Sequence, residues 1–67
     1  MNRDEREGKT ENVKGRVKEA TGALMDDEEL QKEGAKQRER GELQEEYGAL
    51  KRKAGEKLEE LGEKLKD

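Results

Sequence analysis

Leu43-Gln44-Glu45-Glu46-Tyr47-Gly48-Ala49-Leu50-Lys51-Arg52-Lys53-Ala54-Gly55-Glu56-Lys57-Leu58-Glu59-Glu60-Leu61-Gly62-Glu63-Lys64-Leu65 carries two periods at once. Its apolar residues Leu43, Tyr47, Leu50, Ala54, Leu58, Leu61 and Leu65 are spaced 4-3-4-4-3-4. That spacing lines one side of an α-helix; the alternation that a strand needs is absent. Leu43, Ala54 and Leu65 are eleven apart. A repeat of about 3.67 residues per turn keeps such a stripe on one face of a nearly straight helix. Gly48, Gly55 and Gly62 are seven apart, so a heptad-like repeat runs through the same segment.

Both periods recur upstream. Val13, Val17, Ala20 and Leu24 are spaced 4-3-4, and Val13 to Leu24 is again eleven. Gly8, Gly15 and Gly22 form one heptad series, and Gly34, Gly41, Gly48, Gly55 and Gly62 form another. These are all eight glycines, and only the twelve-residue step from Gly22 to Gly34 breaks the register. Glycine costs about 1 kcal/mol relative to alanine inside a helix. Two readings follow: the glycines let helices approach closely, or they keep the helices poised near melting. At about 100° per residue, Gly48, Gly55 and Gly62 lie off the Leu50/Leu61 stripe, which tilts the C-terminal block toward the poised-helix reading.

Helix boundaries come from capping signals. Asp26 followed by Glu29 reads as an N-cap with a capping box, so one helix ends near residues 22–25 and the next begins near Asp27. Thr10 or Asn12 is the expected cap of the first helix. Ala35 is the only apolar residue between positions 31 and 42, so that stretch has little to bury, and a kink or frayed joint is expected near Gly41–Gly48. Pairs such as Glu5/Lys9, Glu28/Lys32 and Glu60/Lys64 support helix, whereas Glu56/Glu60 and Glu59/Glu63 oppose it. The expectation is a single all-α domain over 1–67, with helices at 11–23, 27–46 and 48–66, the last two continuous in one alternative. It is a small helical hairpin or a three-helix arrangement with thin apolar stripes, marginally stable or partly disordered.

Composition narrows the functions. The 67 residues include 19 acidic and 16 basic ones for a net charge of −3, which makes the chain a polyampholyte. Leu, Ile, Val and Phe number nine in all, about 13% and below the roughly 20% level that flags disorder. Cysteine and histidine are absent, which removes thiolate chemistry and the usual near-neutral acid or base. Without an apolar pocket to shift a carboxyl pKa, catalysis is not expected, and neither is a cofactor, a metal or a small-molecule substrate. Asp26, Asp27, Glu28 and Glu29 lack the spacing of a calcium loop and read as a helix cap. Lys51-Arg52-Lys53 is the strongest basic run, but acidic neighbours and a single aromatic, Tyr47, disfavour nucleic acid. No apolar run reaches a membrane span and no secretory signal pattern opens the chain, which makes the cytoplasm the default location. The candidate helix-packing or interaction face is Val13, Val17, Leu24, Leu43, Tyr47, Leu50, Leu58, Leu61 and Leu65. Its expected partners are the same protein or protein clients, with weak membrane contact as a further option.

Three blocks carry a family resemblance: Asn12-Val13-Lys14-Gly15-Arg16-Val17-Lys18-Glu19-Ala20-Thr21-Gly22, Asp27-Glu28-Glu29-Leu30-Gln31-Lys32-Glu33-Gly34 and Arg40-Gly41-Glu42-Leu43-Gln44-Glu45-Glu46-Tyr47-Gly48. In order and spacing they resemble the CsbD-like family over about residues 2–50. Met25-Asp26 stands where many members have Gly-Asp, a departure that bears on the turn. The resemblance implies a small, non-enzymatic helical protein of the bacterial general stress response, and it brings no catalytic or binding residues with it. Residues 48–67 are also similar to late-embryogenesis-abundant desiccation proteins, and high glycine with high hydrophilicity is the hydrophilin signature. Together these imply a hydrophilic protectant of proteins or membranes under desiccation or osmotic stress. The alternative is a stably folded helical module that binds a specific protein partner.

Overall fold

The computed structural model describes residues 1–66; Asp67, the last residue of the expected domain, lies outside them. Two helices form an antiparallel hairpin: α1 spans Arg3–Leu24 and α2 spans Glu28–Lys66. No strand occurs among the described residues. The molecule is a rod of 63 × 13 × 11 Å, its length set by 39 residues of α2 at about 1.5 Å each.

The first helix starts well before the expected residue 11. Asn2 is its cap: the Asn2 side chain accepts from the Glu5 N–H at 2.8 Å, and Glu5 accepts from the Asn2 N–H at 3.3 Å. This reciprocal pair satisfies two of the donors that a helix start leaves open. Thr10 and Asn12 sit inside the helix instead. The Thr10 hydroxyl donates to the Arg6 carbonyl, and the Asn12 side chain accepts from Arg16. Residues 3–10 have no apolar stripe to announce them; their helix follows from the cap, the lack of proline, and a packed glycine at position 8.

The turn also differs by one residue from its expected form. Asp26 has φ 57°, the left-handed region, and is the one non-glycine residue described there. The Asp26 N–H reaches the Ala23 carbonyl at 3.4 Å and the Asp27 N–H reaches the Gly22 carbonyl at 2.7 Å. This is the Schellman ending of a helix, with aspartate in the place usually held by glycine. Asp27, not Asp26, then caps α2: its carboxylate accepts from the Leu30 N–H at 3.2 Å and its carbonyl from the Gln31 N–H at 3.1 Å. One residue performs one role here, because a cap needs extended backbone and Asp26 is already committed to the left-handed turn.

Residues 28–66 are one uninterrupted helix, so the three-helix arrangement and the break near Gly41–Gly48 do not occur. The reason is what holds the hairpin together. No hydrophobic side chain is buried among the described residues; Gly8, Gly15, Gly22, Gly34, Gly41 and Gly48 are. The segment between residues 31 and 42, with Ala35 its one apolar residue, buries backbone at Gly34 and Gly41.

Candidate interaction faces

The two glycine series meet in register. Gly8 faces Gly41, Gly15 faces Gly34, and Gly22 faces the Asp27 peptide. The twelve-residue step from Gly22 to Gly34 is thus the turn plus one heptad, with Asp27 in the next seam position. A Cβ on Gly8 would stand 2.6 Å from both the Gly41 carbonyl oxygen and the Glu45 nitrogen. On Gly15 it would stand 2.5 Å from the Gly34 oxygen and closer still to the Arg38 nitrogen. Gly34 and Gly41 return the same contacts to Gly15 and Gly8. Any side chain would strike backbone, which cannot swing aside. A glycine hydrogen takes the Cβ direction and points at the facing carbonyl, the arrangement of a Cα–H···O contact worth about 0.5–1 kcal/mol. Close approach is therefore the role of six of the eight glycines.

Polar side chains flank this seam. Arg38 grips Glu19 through Nε at 2.8 Å and Nη2 at 3.4 Å, a forked pairing. Gln37 donates to Glu11 at 2.7 Å and Gln44 to Glu7 at 3.0 Å. At the N-terminus of α1, Asn2 donates to the Gly48 carbonyl at 2.6 Å, Lys51 meets Asp4 at 2.9 Å, and Arg52 meets Glu5 at 3.1 Å. Lys51 also lies 4.8 Å from the centre of the Tyr47 ring, within cation–π range. Two residues of the basic run thus serve the hairpin, which their sequence neighbourhood did not disclose. Glu5 pairs across the seam with Arg52, a partner 47 positions away. Lys51 holds the Asp4 carboxyl below the usual carboxylate range, and Arg3 does so for Glu7. Burial pushes Glu5 up, but the Asn2 N–H and Arg52 outweigh it and its carboxyl also ends below that range.

The apolar stripes lie elsewhere. Val13, Val17, Leu24, Leu43, Tyr47, Leu50, Leu58, Leu61 and Leu65 are all 55–88% exposed. They do not pack against each other across the hairpin. Taking the seam glycines as the inner edge and about 100° per residue, Val13, Val17 and Leu24 point away from it on α1. Leu43 and Leu50 point away from it on α2. The hairpin therefore presents apolar stripes on two opposite outer edges.

Beyond Gly48 the helix outruns its partner. Gly55 and Gly62 continue the heptad, yet nothing lies within 4 Å of the position their Cβ would take. Because the leucine stripe follows an eleven-residue period and the glycines a seven-residue one, the two converge along α2. Leu43 and Leu50 sit two residues after a glycine, nearly opposite it, whereas Leu58 and Leu65 sit three after one, directly beside it.

Among the described residues no group of His, Cys, Asp or Glu is arranged to hold a metal ion, and no helix is long and apolar enough to cross a membrane. The family model of CsbD-like proteins matches residues 4–56. No curated protein and no solved structure matches the chain.

Proposed function

Since this chain belongs to the CsbD-like family, which is associated with the general stress response, we propose that it is a hydrophilic protectant whose outer apolar stripes cover the exposed apolar surfaces of proteins losing their fold during water loss. The observation that carries this reading is the inversion of the usual plan: glycines take the inside and every large apolar side chain but the half-buried Leu30 stays largely exposed. Scattered exposed apolar residues are ordinary, but a whole complement placed outside while backbone fills the interior leaves those stripes free for contact. The surrounding charges, nearly balanced in sign, keep such a complex in solution.

Water removal favours this fold. The seam rests on backbone contacts and polar pairs, and both gain strength as the surroundings become less polar. A core of large apolar groups would instead derive its stability from bulk water. The hairpin tightens under the stress that it serves.

The test is recovery of a labile enzyme after drying. The wild type should preserve more activity than an equal mass of inert protein. A Leu43→Gln/Leu50→Gln/Val17→Gln variant should lose most of that advantage while circular dichroism shows the helices intact. Equal protection by the variant would reject the stripes as the acting surface. A partner-specific module is favoured by one feature, the fixed register of the seam; it predicts one saturable protein ligand in place of broad protection.

A further inference from the structure

We infer that residues 52–66 of α2 pair antiparallel with the same segment of a second copy of this chain, Gly55 of each facing Gly62 of the other. The overhang continues the repeat that forms the intramolecular seam, and beyond the Arg52–Glu5 pair its glycines Gly55 and Gly62 face open space. The pairing rules seen within the hairpin then supply three tests of fit.

The first is charge. Within the hairpin, the residues four after one facing pair of glycines form an ion pair: Glu19 after Gly15 meets Arg38 after Gly34, whereas the same positions after Gly8 and Gly41 are Asn12 and Glu45. The same rule across two copies sets Glu59, four after Gly55, against Lys66 of the partner copy, four after Gly62. The two-fold axis repeats the pair, so both contacts join opposite charges.

The second is the other flank. Within the hairpin Glu7, one before Gly8, bonds to Gln44, three after Gly41. Between copies the same positions are Leu61 and Leu58 of the partner copy, and Ala54 meets Leu65 of the partner copy. Where the seam already has a partner, this flank is polar and bonded across it through Gln37, Gln44 and Lys51, with one buried atom, Gln37 Oε1, lacking a partner. On the overhang it is leucine, 55–86% exposed and unsatisfied. The change follows from the convergence of the two periods, and it puts apolar area beside the glycines only where no intramolecular helix arrives.

The third is space. Gly55 against Gly62 brings Lys66 of the partner copy alongside Lys51, while Asn2 of α1 lies by Gly48. Asp4 and Glu5 of α1 reach Lys51 and Arg52, so the last residues of the incoming helix abut the start of α1 and the open length of seam runs from Lys53 onward. The contact is isologous and closes at two copies. It is short, so association should be reversible and strongly concentration-dependent.

Sedimentation equilibrium of the full chain from micromolar to millimolar concentration tests this, with helicity of every variant checked by circular dichroism. The wild type should move from monomer to dimer and no further. Glu59→Lys alone and Lys66→Glu alone should each weaken the dimer by about tenfold, since each sets like charges together twice. The Glu59→Lys/Lys66→Glu double exchange should restore it to within about twofold, the signature of direct pairing. Gly55→Leu should abolish it without unfolding the hairpin. A chain monomeric throughout would overturn the proposal, as would a dimer indifferent to the charge exchange, which would place the contact on the outer stripes. Binding to anionic vesicles by a chain that stays monomeric would overturn it as well. Loss of drying protection with dimerisation intact would count against the protective role alone.

Discussion

The paired and the overhanging halves of α2 share one glycine repeat and differ in what stands beside it. From Gly34 to Gly48 the glycines are pressed against α1, and the positions three residues on are Gln37, Gln44 and Lys51, each bonded across the seam. At Gly55 and Gly62 there is open space, and those positions are Leu58 and Leu65. A glycine every seven residues is therefore not one structural statement. It means close packing where backbone from another helix meets it, and only a helix-weakening residue where nothing does.

That contrast predicts substitutions of opposite sign. Gly15→Ala or Gly34→Ala forces a methyl into the facing backbone and should destabilise the hairpin by about 1–3 kcal/mol each, as overpacking does. Gly48→Ala should destabilise as well, because a Cβ there would stand 2.8 Å from the Glu5 backbone nitrogen and 2.7 Å from the Asn2 oxygen, which cannot turn away without giving up the cap of α1. Urea unfolding followed by circular dichroism reads both. A Gly15→Ala protein as stable as the wild type would break the distinction at its root.

The overhang should respond the other way. Gly55→Ala and Gly62→Ala meet no obstacle and should each raise helix stability by about 0.5–1 kcal/mol. The measurement belongs at low micromolar concentration, where self-association makes no contribution. Losses of stability at these positions in the monomer would mean that the overhang is folded back on a surface that the extended rod does not show.

Much of this architecture was legible in the residues. The helical class, the turn between Gly22 and Asp27, and the two glycine series all follow from spacing. The assignment of the stripes did not, because period alone cannot say which face of a helix turns inward. Sequence reasoning leaves Val13, Val17, Leu43 and Leu50 as a helix-packing or interaction face, without deciding between the two. The structure gives the interior to glycines, since six close backbone contacts need both helices bare on one side. The cap at Asn2 was hidden because the eight residues after it bear no apolar pattern. The partners of Lys51 and Arg52 were hidden because Asp4 and Glu5 lie 47 positions away, and only the register of the hairpin brings them near.

The turn supplies a smaller effect. Asp26 at φ 57° sits where glycine has no steric penalty. Asp26→Gly should stabilise the hairpin by a few tenths to about 1 kcal/mol, less than the overhang alanines combined. It should leave the cap intact, because that duty belongs to Asp27. Asp27→Ala, by contrast, should destabilise α2 by about 1 kcal/mol through the loss of the bond to Leu30.

Acid should divide the two halves with the gentlest hand. Asp4, Glu5 and Glu7 have carboxyls lowered in the folded state, so they contribute stability that is fully present above their unfolded values of about 3.9–4.3. That contribution is lost as pH falls through the lowered values of the hairpin, since the unfolded chain then binds more protons. Lys51 is raised, so its share persists through neutral pH and is lost only as pH climbs beyond about 10.4. All four groups lie where α1 overlaps α2. None of the contacts that lower these carboxyls reaches the helix around residues 56–63. Amide exchange between pH 5 and pH 3 should therefore show protection falling at the α1–α2 overlap while the helix around residues 56–63 holds. Uniform loss along α2 would mean that the overhang owes its helix to the seam, and the two halves would then be one cooperative unit.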